Sequence, residues 1–472
     1  MNQKAYLENW MKAHRDELIA DLSSLIAVRS VKGESAPGAP FGPGPARALD
    51  AALALCDRYG FAVRNYDGYV GAADLCDADR AVDILAHLDV VGEGPGWDTD
   101  PYTAVVKEDG YLYGRGSNDD KGPALAALYA MRAVRDSGQP IRHSARLILG
   151  TDEESGSGDL PYYFAREKSA PYTFSPDCNF PVYNTEKGGY SPVFTKSWPE
   201  QTKNPHVSRF SGGFRINVIP SDAEAVVSGM TAAQLLDALQ ARANALQVQL
   251  SVTDTAEGAH IAVKGFGAHA STPEQGNNGI TALISLLAAL PLAECESTAA
   301  IHELASFFPH GDGRGKAAGL AMEDELSGPL TLAFTLLSID RHGLRGQFDS
   351  RVPICATEEN CRKVFEKLAS GHGYTVEGGM RGSHHTPADS PFIQTLLRCY
   401  EQYTGQPGQC LSMGGGTYVH DIEGGVAFGP GMPDFDGHAH GANERADIDA
   451  LLTASMIYAQ VLFDMCCGEA EK

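Results

Sequence analysis

Apolar runs of strand length alternate with long helical patterns through the first part of the chain. Strand-like runs occur in "AVDILAHLDVV" and "SARLILG", and the segment "ALAALYAMRAVRDSG" between them spaces its apolar residues as a helix does. A chain that alternates in this way folds into α/β layers, with a mixed, largely parallel sheet sandwiched by helices. In such sheets, ligands bind beyond the carboxyl ends of the strands. The alternation therefore predicts both the fold and the edge of the sheet that carries a site.

The pattern changes from about Asn184 onward. Half-exposed antiparallel strands are indicated by "QVQLSVTD" and "HIAVKGFG", and a helix by "TAAQLLDALQARANAL" before them. Long helical patterns return after Ser383. At 472 residues the chain is too large for one simple core. We therefore expect an α/β domain formed by residues 1–184 and 385–472, interrupted by an inserted α+β domain of antiparallel sheet and helices at residues 185–384.

Composition and charge restrict the partners and the compartment. Nucleic acid and anionic membranes bind basic patches, so a formal net charge of −23 argues against both as partners. The first helical pattern is charged throughout and lacks the apolar core of a signal peptide. Apolar stretches such as "GITALISLLAALPLA" are shorter than the roughly 20 residues that span a bilayer. Ten cysteines without a CxxC pair indicate reduced, buried thiols. We predict a cytoplasmic protein.

Acids and histidines occur at, or just after, several strand-like runs. The segments are "AHLDVV", "GSNDDKG", "GTDEES", "SPDCNFP" and "GHAHGANE". His87 and Asp89 are two residues apart, so they point the same way on an extended chain. That spacing suits a metal-binding imidazole and a carboxylate that fixes its tautomer. Any one of these runs alone is most simply a solvated surface, but five of them at strand ends indicate one site.

The glycine-rich segment "GRGSNDDKG" also invites comparison with a phosphate-binding loop. Lys121 is preceded by Asp120 rather than glycine, and Asp119 with Asp120 would repel phosphate, which argues against that interpretation. Imidazole and carboxylate ligands without thiolate suit Zn²⁺ or Mn²⁺. Several carboxylates can share a site only if cations offset their repulsion. The sequence therefore predicts two metal ions bridged by one carboxylate.

Taken together, these motifs resemble those of the M20 family of dinuclear metallopeptidases. The likeness runs from the first helix to the final histidine motif, through "AHLDVVGEGPGWDTDPYTAVV", "GRGSNDDKGPALA", "GTDEESGSGD", "SPDCNFPV", "GFGAHASTPEQGNNGI" and "HAHGANE". Within the family the chain is most similar to the PepV-type dipeptidases, which act as Xaa-His or β-Ala dipeptidases, and "PFGPGPARAL" also resembles that group. The resemblance implies a zinc-peptidase catalytic domain and an inserted lid domain.

The resemblance also implies roles for individual residues. It implies five metal ligands on two divalent ions, with zinc expected first and manganese or cobalt as alternatives: His87 and Asp177 on one ion, Glu154 and His440 on the other, and Asp119 bridging them. Glu153 would be the general base, and Asp89 would orient His87. A cis peptide bond would join Asp119 to Asp120. His440 is preferred to His438 because it begins the family's H-x-x-N-E pattern.

The inserted domain would contribute substrate contacts. By resemblance, His269 would stabilise the oxyanion, and Arg351 would bind the free carboxylate of the substrate, a task that a guanidinium fork performs bidentately. Asn217 would contact substrate, and Gly415 with Gly416 would let the backbone approach it. Alternatives stay open: Arg351 as a surface ion pair, Asn217 as a turn residue, and the glycines as a plain turn. Asp152 has no implied role beyond capping its turn.

The implied activity is hydrolysis of small, unblocked dipeptides by a water activated between two metal ions. The large insertion resembles that of monomeric members, in which the second half of the lid imitates the partner subunit of dimeric ones, so we expect a monomer. One rival function is the removal of an acyl group from an N-acyl amino acid. A second rival is a non-catalytic metal-binding or peptide-binding protein, against which the retention of Glu153 argues. A dinucleotide-dependent redox enzyme lacks support, because no G-x-G-x-x-G opens a helix after a strand.

Overall fold

The computed structural model describes residues 2–467, and they divide into two compact units. The first unit comprises the chain up to Thr185, then His385–Leu411, and then the chain from Gly416 onward. The inserted unit comprises Glu186–His384 together with Ser412–Gly415. The first unit is a mixed α/β layer structure and the inserted unit is an antiparallel sheet with helices, so the predicted fold class is confirmed. The catalytic role of one domain and the lid role of the other stay predictions.

Six of the principal helices belong to the first unit and four to the inserted unit. In chain order they are α1 (Gln3–Ile26), α2 (Pro43–Arg58), α3 (Lys121–Asp136), α4 (Asp159–Phe164), α5 (Ala232–Ala245), α6 (Gly279–Leu287), α7 (Glu296–Phe307), α8 (Lys363–Gly371), α9 (Pro391–Thr404) and α10 (Ile448–Leu462).

The strands fall into three consecutive groups along the chain. The first group is β1 (Ala62–Tyr66), β2 (Val70–Asp74), β3 (Arg80–His87), β4 (Val105–Val106), β5 (Tyr111–Tyr113), β6 (Ser144–Gly150), β7 (Tyr172–Ser175), β8 (Cys178–Asn179) and β9 (Val182–Glu186). The second is β10 (Gly188–Tyr190), β11 (Val193–Ser197), β12 (His206–Gly212), β13 (Asp222–Ser228), β14 (Gln249–Thr255), β15 (Gly258–Lys264), β16 (Glu323–Asp324), β17 (Gly328–Pro329), β18 (Thr331–Asp340), β19 (Gly343–Val352), β20 (Thr375–Glu377) and β21 (Met380–Arg381). The third is β22 (His384–His385), β23 (Cys410–Met413), β24 (Val426–Ala427), β25 (Pro430–Gly431) and β26 (Arg445–Asp447).

The main sheet of the first unit is parallel at its centre and antiparallel towards its edges. Its strand order is β1-β2-β6-β3-β7-β24-β9-β22, with β23 paired to β9. The ladders β6·β3, β3·β7 and β7·β24 are parallel, whereas β1·β2, β2·β6 and β24·β9 are antiparallel. The three neighbouring strands β6, β3 and β7 therefore present their carboxyl ends at one edge. The strands β1 and β2 form an antiparallel hairpin at one edge of this sheet.

Helices cover this sheet with apolar side chains. Almost every residue of α3 is buried, and α3 packs against α1 and α10 in one hydrophobic core. The segment Ile448–Cys467, which begins as α10, is long and apolar enough to span a membrane by length and composition, but 67% of its apolar 18-residue window is buried inside the protein. The sequence expectation that no apolar stretch reaches this length is wrong. The buried fraction instead makes this segment a core helix.

The inserted unit is built on a ten-stranded sheet. Its main path is β14-β15-β13-β12-β18-β19-β10-β21, and its ladders are antiparallel. Side chains alternate between buried and partly exposed along β15, as the sequence pattern predicts for a sheet with one covered face. Thr231 begins α5 with a capping box closed by Gln234, and Asn278 caps α6 by accepting hydrogen bonds from two backbone N–H groups.

Candidate metal centre

The candidate site lies at the carboxyl ends of the central parallel strands. His87 is the last residue of β3 and is 1% exposed. The turn that carries Glu153 and Glu154 follows β6, and Asp177 follows β7. Because β6, β3 and β7 are adjacent and parallel, these side chains are brought to one edge of the sheet. Register and strand direction thus assemble residues that are up to 90 positions apart in sequence.

Asp119 reaches the same edge from a loop that follows a different, smaller sheet. That sheet is β4-β5-β26, in which β5 pairs antiparallel with β26. The loop after β5 carries Asp119, and the loop before β26 carries His440. The peptide bond between Asp119 and Asp120 is cis, as the family resemblance implies. Pairing of β5 with β26 therefore places two site loops side by side.

Two groups of ligand-type atoms share Asp119. In one group, Nε2 of His87 lies 3.0 Å from Oδ1 of Asp119 and 3.7 Å from Oδ2 of Asp177. In the other, Nε2 of His440 lies 3.0 Å from Oδ2 of Asp119 and 3.0 Å from Oε2 of Glu154. Within each group the potential ligand atoms all lie within 4.8 Å of one another. All five sequence-predicted metal ligands are brought together.

The donor set fits divalent cations. Imidazole nitrogens and carboxylate oxygens are ligands of Zn²⁺ and Mn²⁺. Among the described residues, the buried Oε1 of Glu154 has no hydrogen-bond partner, as expected of an oxygen left for an ion. His438, in contrast, contacts Asp436 at 3.4 Å and belongs to neither group. The residues present therefore fit two ions that share one carboxylate.

The raised pKa values of the clustered carboxyl groups also indicate that the site is suited to bound cations. Burial raises the pKa of Glu153 to about 8, and the neighbouring Glu154 and Asp89 add to the shift while His87 opposes it. Burial and the adjacent Asp119 likewise raise the pKa of Asp177 well above its ordinary value. Without cations, acids so close together retain protons. Bound cations would allow them to ionise.

The imidazoles compensate for part of this charge. Hydrogen bonds to Asp119 and Glu154 raise the pKa of His440 to about 11. Although burial opposes its ionisation, hydrogen bonds from His440 and His87 hold the pKa of Asp119 well below its ordinary range. Asp119 is thus the most readily ionised carboxylate of the cluster, which suits a bridging ligand.

Asp89 contacts both the histidine and the turn of the two glutamates. The nearest contact of His87 Nδ1 is the backbone oxygen of Asp89 at 3.0 Å, and the Asp89 carboxylate lies 3.5 Å away. That carboxylate accepts hydrogen bonds from the backbone N–H groups of Glu153 at 3.1 Å and of Glu154 at 3.2 Å. Asp89 therefore anchors the turn as well as standing beside the imidazole that it is predicted to orient.

Asp152, the third acid of the turn, lies apart from the ligand groups. Its Oδ1 accepts from Lys32 Nζ at 2.6 Å, and its Oδ2 accepts from the backbone N–H of Gly158 at 3.0 Å. The bond to Gly158 closes the turn that follows β6, and the bond to Lys32 ties that turn to the segment after α1. The Asp152 side chain makes no capping hydrogen bond to the helical turn at Glu153–Ser155, so its role as a cap stays a prediction.

Glu444 holds the Asp119 loop and was missed by reasoning from sequence. It is fully buried, and its Oε1 accepts hydrogen bonds from the backbone N–H groups of Asn118 at 2.9 Å and Asp119 at 3.1 Å. Its Oε2 accepts from Arg115 Nη1 at 2.6 Å and from Gly116 N at 3.1 Å. The signal was available, because Glu444 ends the "HAHGANE" motif in which His440 was assigned.

The predicted substrate contacts of the inserted unit lie close together within that unit. His269 forms an isolated bridge with Val218, and its Nδ1 lies 2.6 Å from Oγ of Ser271. The backbone N–H of Ala270 donates to the carbonyl of Asn217 at 2.9 Å. His269 and Asn217 are therefore held on adjoining segments.

Arg351 lies on β19 and is held by two neighbours. Its Nε and Nη2 donate to Oδ2 of Asp349 at 3.2 and 2.9 Å, and its Nη1 donates to the carbonyl of Gly414 at 2.8 Å. A Cβ added at Gly415 would meet no atom within 4 Å, so a need for glycine there has no steric basis within this unit. Gly416 belongs to the first unit. Their predicted role at the substrate stays a prediction.

Comparison with known proteins identifies the family. Residues 84–464 match the sequence model of Peptidase family M20/M25/M40. YtjP of Bacillus subtilis (strain 168) is 34% identical over 468 residues, which cover 96% of this chain and 97% of that protein. The Beta-Ala-Xaa dipeptidase of Lactobacillus delbrueckii subsp. lactis is 32% identical over 458 residues, with 96% and 97% covered.

Solved structures agree on the fold. Human carnosine dipeptidase 1 superposes with a TM-score of 0.60 at 18% identity, covering 98% of this chain and 99% of that one. The dipeptidase Dug1p from Saccharomyces cerevisiae also gives a TM-score of 0.60, at 13% identity and 98% coverage of both chains. The family resemblance and the enzyme class predicted from the motifs are confirmed. The chain belongs to Peptidase family M20/M25/M40 and is a metallopeptidase.

Proposed function

We propose that the protein is a metal-dependent dipeptidase that hydrolyses small, unblocked dipeptides. The observation that carries the proposal is the position of Asp119, whose two carboxylate oxygens each lie 3.0 Å from the imidazole of a different ligand group. One shared carboxylate between two groups is the arrangement that a dinuclear hydrolytic site requires. The Beta-Ala-Xaa dipeptidase at 32% identity supports a dipeptide as the substrate class.

Five residues would hold the two ions. His87 and Asp177 would bind one, Glu154 and His440 would bind the other, and Asp119 would bridge them, with zinc expected first and manganese or cobalt as alternatives. When bound, the ions would lower the pKa of a water molecule and polarise the peptide carbonyl.

Glu153 would serve as the general base. Glu153 lies in the turn that follows β6, beside the five predicted metal ligands. Its backbone N–H donates a hydrogen bond to the Asp89 carboxylate, which fixes the position of the turn. Its raised pKa, about 8 in the metal-free protein, indicates a group that takes up a proton readily. Glu153 accepts the proton of the attacking water and returns it to the leaving amine.

Residues of the inserted unit would bind and polarise the substrate. His269, oriented by Ser271, would donate to the oxyanion that develops on the peptide carbonyl. Arg351 would bind the free carboxylate. Its guanidinium has five N–H groups, and three of them are used by Asp349 and Gly414, which leaves two donors for a carboxylate. Asn217 would add a contact to the substrate.

We further propose that the enzyme is a cytoplasmic monomer in which His269 acts within its own chain. The insertion of about 200 residues supports this, since it matches the size expected of a monomeric member. A mixture of H269A and E153Q proteins tests it. We expect no recovery of activity on mixing; recovery would show that His269 is supplied by a second subunit.

The decisive experiment replaces Glu153 with glutamine or alanine. We expect turnover to be lost while the metal content, measured by elemental analysis, stays at the wild-type value. A parallel loss of metal would show that Glu153 is a ligand and not the base. A matched replacement of Glu154 with glutamine should lower the metal content.

A substrate panel separates the proposal from its rivals. The metal-free protein is reconstituted with Zn²⁺, Mn²⁺ or Co²⁺ and given each dipeptide both free and N-acetylated. Hydrolysis of the free dipeptides alone supports the proposal. Preference for the acetylated compounds would identify an N-acyl-amino-acid amidohydrolase, and metal binding without hydrolysis of either would indicate a non-catalytic binding protein.

A further inference from the structure

A large cavity lies within the inserted unit, and none of its lining residues is a predicted metal ligand. Its volume is about 890 Å³, comparable to a site for a small organic molecule. Its walls include residues 245–247, 276–278, 308–314 and 331–334, with Lys187 on one side. All of these residues belong to the inserted unit.

The cavity adjoins the predicted substrate contacts at three places. Ser271 lines it, and its hydroxyl lies 2.6 Å from His269 Nδ1. Thr331 lines it and pairs directly with Arg351 across the β18·β19 ladder. These contacts place the cavity beside the proposed oxyanion donor and the proposed carboxylate clamp.

The third place is Lys187. Its backbone N–H donates to the carbonyl of Met413 at 3.0 Å, and the next residue, Gly414, accepts the hydrogen bond from Arg351. The backbone of Lys187 and the side chain of Arg351 therefore bond to consecutive residues of one segment, so Lys187 and the proposed carboxylate clamp are held by the same piece of chain.

Lys187 gives this side of the cavity a cation. Its Nζ donates to the carbonyl of Pro329 at 2.5 Å, which leaves two of its three N–H donors for other acceptors. Burial lowers the pKa of Lys187 and the nearby Arg314 adds to the effect, while Asp324 and Glu274 oppose it. A half-buried ammonium group beside a second cation is stabilised by an added carboxylate.

The acids around the cavity are largely engaged elsewhere. Asp312 accepts from the backbone N–H groups of Arg314 at 3.2 Å and Ala317 at 2.8 Å. Asp324 accepts from the backbone N–H groups of Leu326 and Ser327, at 3.0 and 2.7 Å. Glu274 lies on the exposed rim. These contacts satisfy Asp312 and Asp324, and the lysine retains donors for a ligand.

Asn277 is a fixed polar residue of the cavity wall. It is 8% exposed, and its amide nitrogen donates to the carbonyls of Leu246 and Gln247, both at 3.0 Å. These two bonds fix the orientation of the amide, so this part of the wall is rigid.

We propose that this cavity receives the side chain of the substrate's C-terminal residue, and that Lys187 selects dipeptides in which that side chain bears a carboxylate. The inference rests on the proposed dipeptidase function, with the α-carboxylate on Arg351. The second carboxylate pairs with Lys187, and Arg314 adds positive potential at the rim. Lys187 is thus a specificity-determining residue and takes no part in the proton transfers.

The test compares Ala-Glu with its neutral isostere Ala-Gln, and with Ala-Ala and Ala-Lys, on the full-length protein reconstituted with metal. We expect wild-type kcat/KM for Ala-Glu to exceed that for Ala-Gln by about tenfold or more, and K187M to remove most of that ratio. Ala-Ala should be cleaved by K187M as by wild type. K187R should retain the preference, because it keeps the cation.

Lys203 supplies the matched control. It is an exposed lysine of the same unit whose Nζ also donates to a backbone carbonyl, that of Glu294 at 3.3 Å, and K203M should leave the ratio unchanged. If K187M unfolds, R314Q on the rim provides the second variant and should lower the ratio in the same direction. The inference is overturned if the ratio of kcat/KM for Ala-Glu to that for Ala-Gln is unchanged in folded K187M or in R314Q. Failure of the wild-type protein to cleave any free dipeptide would instead overturn the proposed function.

Discussion

The hydroxyl of Tyr418 donates a 2.5 Å hydrogen bond to Oδ2 of Asp159, although the two residues are 259 positions apart. The same carboxylate oxygen accepts from the backbone N–H groups of Thr151 at 2.7 Å and Asp152 at 3.1 Å, the two residues that precede Glu153. The ring of Tyr418 also meets that of His87 edge-on, with centroids 6.1 Å apart. Tyr418 therefore packs against His87, and its partner Asp159 holds the start of the turn that carries Glu153 and Glu154.

Replacing Tyr418 with phenylalanine should destabilise the protein while keeping the ring contact. The variant removes one hydrogen bond to a buried carboxyl group, which costs about 1–3 kcal/mol. Thermal or denaturant unfolding of the metal-free protein measures the loss. Tyr162 is the control, since its hydroxyl bonds Asp67 at the surface and Y162F should have a smaller effect. Equal effects of the two variants would argue against a special role for the buried pair.

The pH dependence of stability should reveal the Asp159 carboxyl. Burial raises its pKa from 3.8 to about 6. Between these values the folded protein holds a proton that the unfolded chain has released, so the stabilisation from this group is present at low pH and is lost as pH rises through about 6. A shift of about two units corresponds to roughly 3 kcal/mol.

The D159N variant isolates this contribution, because its side chain does not titrate. The unfolding free energy of wild type minus that of D159N should fall by roughly 2.5 kcal/mol between pH 4 and pH 7, measured on metal-free protein with chelator present. A difference that stays flat, or that grows with pH, would show that Asp159 is ionised in the folded state throughout this range.

Much of the site follows from local sequence pattern, because its residues end buried strands. His87 ends β3, Glu154 lies in the turn after β6 and Asp177 comes two residues after β7, so their convergence depends only on those strands being parallel neighbours. The parallel centre of the sheet follows from alternation of strand and helix. Its antiparallel edges depend on pairings such as β24 with β9, which join segments more than 200 residues apart.

The supporting contacts were not predictable in the same way. Glu444 lies more than 300 positions from the Asp119 loop that it holds, and no periodicity signals such a bond. Asp89 was expected to act on His87 alone, yet its carboxylate also caps the backbone of Glu153 and Glu154. A carboxylate can accept several hydrogen bonds, and only the folded chain determines which donors reach it.

Metal binding should release protons. In the metal-free protein at pH 7, His440 with a pKa of about 11 and Glu153 with a pKa of about 8 both hold protons. A coordinating imidazole must be neutral, and nearby cations favour the ionised carboxylate, so both protons should leave when metal binds. Calorimetric titration in buffers of different ionisation enthalpy counts them.

The variant E153Q should release about one proton fewer than wild type at pH 7, since glutamine has none to lose. The difference should shrink towards pH 9, where Glu153 is already ionised before metal binds. Equal proton release by the two proteins at pH 7 would mean that Glu153 is ionised in the metal-free protein, contrary to its raised pKa.

Replacement of Glu444 by glutamine should strongly lower the free energy of unfolding, although the two side chains have nearly the same shape. All four contacts of the Glu444 carboxylate come from donors, two on each oxygen, so either orientation of a glutamine amide turns its NH₂ group towards donors. It also leaves the buried Arg115 without its anionic partner, and breaking such a pair costs about 3–5 kcal/mol.

The surface pair of Glu200 and Arg341 provides the control for E444Q. Its nearest charged atoms lie 3.3 Å apart and both side chains are more than half exposed, so E200Q should cost no more than about 1 kcal/mol. Because Glu444 fixes the backbone of Asp119, E444Q should also weaken metal binding, measured by competition with a chelator, whereas E200Q should not. Retention of wild-type metal affinity by a destabilised E444Q would show that Asp119 is positioned by the ions themselves rather than by the loop.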